Sequence, residues 1–96
     1  MRLTEREIRE IREAAREFFG APVRLFGSRL DDAARGGDID LYVETDLLPD
    51  EAERCRIAML GRLYRRIGER RIDLLVNTGG SLSPVQEAAR RTGVTL

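Results

Sequence analysis

Apolar and polar residues recur along this chain with two different periods, and these periods divide it into helices and strands. A spacing of three to four residues between apolar positions predicts three helices, over 4–20, 49–67 and 84–91. Alternation of apolar and polar positions predicts three strands, over 23–26, 39–44 and 71–76. The last three residues are expected to add a short segment at the edge of the sheet. This order of elements predicts an α+β fold in which helices flank a small mixed β-sheet.

Two of the predicted helices begin with the same local signal. Thr4 precedes Glu7 by three residues, and Ser83 precedes Gln86 by the same interval. This is the spacing of a capping box, in which the first side chain accepts a hydrogen bond from the second residue's amide and the second side chain reaches back to the first. Both helix starts are therefore predicted from local chemistry alone.

Three carboxylates are predicted to share one face of the sheet. Asp38 and Asp40 stand one residue apart at the start of the second strand, and Asp73 lies in the third strand. Side chains alternate between the faces of a strand, so the three carboxylates share a surface if the two strands pair with their apolar faces aligned. Their mutual repulsion then requires a compensating cation. Two Mg²⁺ ions would provide it, activating a nucleophile and neutralising a leaving pyrophosphate.

A glycine turn after the first strand has the chemistry of a phosphate site. Gly27 and Ser28 interrupt an apolar strand, and glycine lets the backbone approach a phosphate closely. Arg29, the next residue, has the charge to stabilise phosphates during their transfer. The turn and the acidic cluster together predict a site for a nucleoside triphosphate and divalent metal.

The composition restricts the partners and the compartment that fit this chain. Its 96 residues, of which 42% are hydrophobic, predict a single domain over residues 1–96. The 17 basic residues, all arginine, balance 17 acidic ones, and a chain without net charge has no global field that attracts nucleic acid. No signal peptide and no long apolar run are found, which predicts a cytoplasmic protein that makes no membrane contact.

The residues that the sequence lacks restrict its metal chemistry. There is no histidine and a single cysteine, Cys55, which is expected to pack in the core. Because zinc sites need several nitrogen or sulfur ligands, any metal bound here must be a hard ion with oxygen ligands, such as Mg²⁺ or Mn²⁺.

The motif around these residues resembles that of a known superfamily. The stretch Leu25-Phe26-Gly27-Ser28-Arg29, followed by Gly37-Asp38-Ile39-Asp40-Leu41, is similar to the signature of the DNA polymerase β-like nucleotidyltransferases. Within that superfamily the short chain resembles the minimal nucleotidyltransferases (MNT), which are commonly encoded beside a helical HEPN protein as antitoxin and toxin. The resemblance covers nearly the whole chain and implies the polymerase β-like nucleotidyltransferase fold.

The resemblance also implies a role for each residue of the motif. Gly27 and Ser28 would hold the triphosphate of ATP, and Arg29 matches a position that is often basic in the short members. Asp38 and Asp40 would bind both metal ions, Mg²⁺ or Mn²⁺. Asp73 would be the third metal ligand and a candidate base for the attacking hydroxyl.

The function implied by the resemblance is that of an antitoxin enzyme. In this family such proteins can transfer AMP from ATP to a tyrosine of the HEPN toxin, which blocks the toxin's RNase activity. Two alternatives stay open: an antitoxin that neutralises its partner by binding without catalysis, and a nucleotidyltransferase acting on a small molecule. The chain ends soon after the expected catalytic core, which favours a partner protein as acceptor. A homo-oligomer or a hetero-oligomer with the toxin is compatible with the sequence.

The aromatic residues and one group of arginines complete the expectations. Tyr42 and Tyr64 have the chemistry of acceptors for self-modification, but their positions favour structural packing. Three phenylalanines are assigned to the core: Phe18, Phe19 and Phe26. Four arginines either contact a partner or keep the surface soluble: Arg65, Arg66, Arg70 and Arg71.

Overall fold

The computed structural model describes residues 3–27, 38–68 and 70–96. Within these ranges the fold is α+β, with three helices and four strands in a mixed sheet. The elements are α1 (Glu5–Phe19), β1 (Val23–Phe26), β2 (Ile39–Glu44), α2 (Pro49–Ile67), β3 (Ile72–Asn77), α3 (Pro84–Thr92) and β4 (Val94–Thr95). None of the helices in these ranges is both long and apolar enough to cross a membrane.

Both predicted capping boxes are present. The Thr4 hydroxyl accepts a hydrogen bond from the Glu7 amide at 3.1 Å, and the Glu7 carboxylate accepts from the Thr4 amide at 2.9 Å. Ser83 and Gln86 make the equivalent pair, at 3.2 Å in both directions. These bonds satisfy amides that have no partner within the helix, which explains why α1 and α3 begin where the sequence predicts.

The sheet has the strand order β3-β2-β1-β4. β1 runs antiparallel to both β2 and β4, whereas β2 and β3 are parallel. A parallel pair needs a crossover connection, and α2 supplies it. The predicted edge segment is confirmed as β4, which pairs with β1 through Arg24↔Thr95 and Leu25↔Val94.

One face of the sheet packs against α1 and α2 and forms the core. Alternate residues of β2, such as Ile39 and Leu41, are fully buried there against Met59 and Leu63 of α2. Cys55 packs against this cluster as expected. Of the three phenylalanines assigned to the core, Phe19 is buried and Phe18 packs against the cluster.

The other face of the sheet is partly covered by α3. Tyr42 of β2 is fully buried on this face, which confirms its predicted packing role. Two aromatic predictions are wrong. Tyr64 is 41% exposed, because it lies on the side of α2 that points away from the core. Phe26 alternates with the buried Leu25, so it lies on the face opposite the core, where it pairs with Asp40.

Candidate functional site at the amino ends of two parallel strands

Two of the predicted site residues are direct neighbours across parallel strands. The register of β2 and β3 is Ile39↔Ile72, then Asp40↔Asp73. Because the apolar residues of the two strands are level, the carboxylates of Asp40 and Asp73 lie on the same face, as the alternation predicted. The pair is near the amino ends of both strands.

The charges around Asp40 disfavour its ionised form. Burial is the largest cause of a raised pKa at this carboxyl, followed by the negative charges of Asp73 and Asp38 and a hydrogen bond with Asp73. A carboxylate that is half-buried among like charges gains most from a bound cation. Two of the predicted metal ligands, Asp38 and Asp73, therefore act electrostatically on the third, Asp40.

Asp38 precedes β2 and lies beside an arginine that the sequence did not assign to the site. The Arg71 guanidinium Nε lies 4.0 Å from a carboxylate oxygen of Asp38, and the Arg71 side chain is 78% exposed. Arg71 stands two residues before Asp73 in the chain. Because side chains two residues apart in a strand lie on the same face, this spacing is the sequence signal that could have placed Arg71 beside the carboxylates.

Gly27 turns the chain directly against Asp40. Its φ is +79°, a left-handed conformation, and a Cβ at this position would collide with the Asp40 carboxylate, whose Cγ would be only 3.2 Å away. A side chain is therefore excluded by backbone conformation and by space. Ser28 and Arg29, the other residues predicted to hold the triphosphate, lie outside the described residues.

A groove of about 310 Å³ runs beside Asp40 and Asp73. Its apolar walls are Phe26, Leu75 and Val85, and Val85 is 55% exposed although it is hydrophobic. The sequence did not indicate this groove, because these three residues belong to β1, β3 and α3, which are distant from one another in the chain. Arg56 also lines it and is held by Glu53 through hydrogen bonds of 2.9 and 2.6 Å.

Asp40 and Asp73 form a close pair, and Asp38 lies nearby. The three carboxylates are not arranged as a set of three metal ligands. Among residues 3–27, 38–68 and 70–96, no group of three or more acidic or cysteine side chains is arranged to hold a metal ion. Because the pKa of Asp40 is raised, a proton and a metal ion compete for its carboxylate.

A fourth carboxylate on the same face has different surroundings. Glu44, at the carboxyl end of β2, accepts a hydrogen bond from the Tyr42 hydroxyl at 2.9 Å. Arg90 and Arg24 approach it at 3.3 and 3.6 Å. These partners neutralise Glu44, and burial together with Glu44 raises the pKa of Tyr42 to about 12. This cluster joins α3 to the sheet and has no surplus charge to offer a cation.

The fold and the site define a small α+β protein in which two carboxylates are paired at one end of two parallel strands, with Asp38 and Arg71 nearby. No family model matches the chain, and no curated protein matches it either. A functional assignment therefore depends on the side chains of the site and on their geometry.

Proposed function

We propose that this chain is a metal-dependent nucleotidyltransferase with the polymerase β-like fold. The observation that carries the proposal is the pairing of Asp40 with Asp73 on adjacent parallel strands. Gly27, whose missing side chain is required by the Asp40 carboxylate, supports it independently. The order of strand, glycine turn, acidic strand, crossover helix and second acidic strand agrees with the motif that the resemblance identifies.

The donor set of the cluster fits a hard divalent cation. Asp40 and Asp73 supply oxygen ligands, and Asp38 is close enough to raise the pKa of Asp40. Carboxylate oxygens are what Mg²⁺ and Mn²⁺ prefer, and we assign these three residues to the metal. A bound ion would neutralise charge on the triphosphate and lower the pKa of an attacking hydroxyl.

The residues of the chain orient the donor and remove a proton. ATP is the proposed donor, with its triphosphate at the turn formed by Gly27, Ser28 and Arg29. The acceptor oxygen forms a bond to the α-phosphorus, the bond to pyrophosphate breaks, and pyrophosphate leaves. Asp73, which is exposed at the groove, accepts the proton of the acceptor hydroxyl as general base.

The walls of the groove support a tyrosine as acceptor. An aromatic ring would pack against Phe26, Leu75 and Val85 while its hydroxyl reaches the carboxylates. A small molecule with many hydroxyl groups would instead leave polar atoms against apolar walls without partners. We therefore propose a protein acceptor, the HEPN-type toxin implied by the resemblance, and an antitoxin role for this chain.

The test is the intact mass of the HEPN-type protein encoded beside this chain, after incubation of both proteins with ATP and Mg²⁺. We expect a gain of one or more AMP units. The matched variants are Asp40→Asn, which is expected to abolish the gain, and Asp46→Asn, which removes an exposed carboxylate beyond the other end of β2 and is expected to retain it.

Each outcome of this experiment separates the candidate functions. Transfer that survives Asp40→Asn would contradict the metal assignment. A stable complex without any gain in mass would instead favour neutralisation by binding. No complex and no gain would direct the search to small-molecule acceptors, with release of pyrophosphate from ATP as the readout.

A further inference from the structure

The described part of the chain exposes five large hydrophobic residues, and three of them belong to one helix or its N-cap. Leu48, the N-cap of α2, is 73% exposed, Ile57 is 59% exposed and Tyr64 is 41% exposed. Single exposed apolar residues are ordinary on a protein surface. Two on one 19-residue helix and a third at its N-cap form a concentration that packing among the described residues does not explain.

Two of these residues, Ile57 and Tyr64, belong to a strip on the side of α2 that points away from the core. Ile57, Gly61 and Tyr64 follow one another at intervals of four and three residues, and Ala58 widens the strip. The buried residues of the helix, Ala52, Met59 and Leu63, lie on the opposite side. We call the strip formed by Ile57, Ala58, Gly61 and Tyr64 the outer face of α2.

Gly61 is unexplained by the fold of a single copy. Glycine is unfavourable in the interior of a helix compared with alanine, and the backbone of Gly61 is not in a left-handed conformation. A Cβ at Gly61 would meet only an Arg65 guanidinium nitrogen, at 3.5 Å, which is ordinary contact. A small residue at this place is useful where another backbone approaches the helix closely.

The charges of α2 are arranged so that a second copy of the helix, running antiparallel, complements the first. The first turn contains Asp50 and Glu51, and the last turn contains Arg65 and Arg66. Arg65 is on the side of the outer face, whereas Arg66 lines a hollow with Arg6 and Glu7 of α1. A twofold axis near Ala58, the middle of the helix, brings the acidic turn of each copy beside the basic turn of the other. The helix dipoles also oppose each other in this arrangement.

The same twofold axis would place Tyr64 of one copy opposite a hollow at the start of α2 in the other copy. A hollow of about 490 Å³ lies at the start of α2 and is lined by Leu48, Pro49, Asp50, Glu51 and Arg54. With the axis near Ala58, the Tyr64 of each copy falls opposite this hollow in the other copy. Contact there would cover the exposed Leu48 and give the tyrosine hydroxyl polar partners.

We propose that the outer face of α2 binds a second copy of this chain in an antiparallel, twofold-symmetric dimer. An interface of this kind is self-complementary, so each favourable contact occurs twice. A single helix pair gives an interface at the small end of the range, which corresponds to weak association. The face lies on the other side of the sheet from the carboxylates, so the dimer does not depend on the proposed function.

The test is sedimentation velocity of the full chain at concentrations from about 1 µM to about 1 mM, the range of weak association. We expect a shift from monomer to dimer within this range. Ile57→Arg is expected to raise the dissociation constant at least tenfold. The matched control is Val85→Arg, which adds the same charge at a hydrophobic residue of similar exposure, 55% against 59%, and is expected to leave association unchanged.

A charge exchange tests the antiparallel orientation. Reversing one charge alone, with Glu51→Arg, places like charges opposite each other and is expected to weaken the dimer. Adding Arg65→Glu to the same chain restores complementarity and is expected to restore association. Circular dichroism of each variant shows whether the fold is retained. A monomer at every concentration, a dimer that survives Ile57→Arg, or no recovery in the folded double variant would overturn the proposal.

Discussion

Two carboxylates on the same face of β2 have opposite surroundings, although only three residues separate them. Glu44 receives a hydrogen bond from Tyr42 and lies beside Arg24 and Arg90. Asp40 has Asp73 and Asp38 as neighbours, and their charges raise its pKa. The first arrangement stabilises the fold because opposite charges are paired, whereas the second places like charges around Asp40, which favours a bound cation or a proton there.

We propose that this difference distinguishes a structural carboxylate from a functional one. Structural ion pairs bring opposite charges together, and like charges at close distance persist where a function uses them. Both clusters lie beside clefts, and the cleft beside Glu44 is the larger, about 410 Å³ against about 310 Å³. We nevertheless place the function at the smaller groove, since cavity size carries no chemistry by itself.

The largest expected effect is on transfer activity. Asp40→Asn should lower the initial rate of AMP incorporation by more than about 100-fold, because even residues that only support a metal ligand cost about 10- to 100-fold when changed. Glu44→Gln should retain the rate, since the hydrogen bond and ion pairs of Glu44 are with Tyr42, Arg24 and Arg90. Similar losses in both variants would remove the distinction between the two carboxylates.

The second prediction compares two glycines with positive φ. Gly27→Ala and Gly20→Ala both place a side chain in a left-handed conformation, +79° and +61°, at a cost of about 1–2 kcal/mol each. A Cβ at Gly20 meets nothing within 4 Å, whereas one at Gly27 meets the Asp40 carboxylate. Urea unfolding should therefore show a larger loss for Gly27→Ala.

The same glycine pair also separates stability from activity. Gly27→Ala should abolish transfer because it displaces Asp40, and Gly20→Ala should leave transfer intact in the folded protein. An equal effect of both substitutions on the free energy of unfolding would show that the contact between Gly27 and Asp40 does not constrain the site.

The third prediction concerns the pH dependence of stability in EDTA. Asp40 has a raised pKa in the folded protein and its ordinary pKa of 3.8 in the unfolded chain. At a pH between these two values, the folded protein keeps a proton on Asp40 that the unfolded chain has released. The free energy of unfolding contributed by this group therefore falls as pH rises through the raised pKa. Asp40→Asn should raise the melting temperature at neutral pH, and the gain should disappear below about pH 4.

Divalent metal supplies the control for this prediction. Mg²⁺ or Mn²⁺ should raise the melting temperature of the unmodified chain by binding the folded state. The ions should have little effect on Asp40→Asn. A variant that melts lower than the unmodified chain in EDTA at neutral pH would contradict the electrostatic description of Asp40.

The smallest expected effect is on stability, from the hydrogen bond between Tyr42 and Glu44. Tyr42, with its pKa raised to about 12, should remain protonated when the unfolded chain ionises, so stability should fall as pH rises from about 10 towards 12. Tyr42→Phe should cost about 1 kcal/mol at neutral pH through one lost hydrogen bond. An alkaline absorbance titration should lose its latest phase in this variant, and retention of that phase would contradict the assignment.

The sequence by itself determined the elements and most of their limits. Thr4 with Glu7 and Ser83 with Gln86 fixed two helix starts, because a capping box is made within three residues of the chain. The predicted limits of α2 coincide with the observed Pro49–Ile67. Alternation along β2 correctly put Asp40 on the face opposite Ile39, since that pattern depends only on strand geometry.

The tertiary structure alone decided which residues meet. The parallel register that pairs Asp40 with Asp73 is a contact between distant segments, and a local pattern only permits it. The arginines around Glu44 come from β1 and α3, so no spacing in the sequence could predict that they lie beside it. Phe26 and Tyr64 were assigned wrongly for the same reason: hydrophobicity indicates that burial is favourable, but packing between distant segments decides which apolar residues become buried.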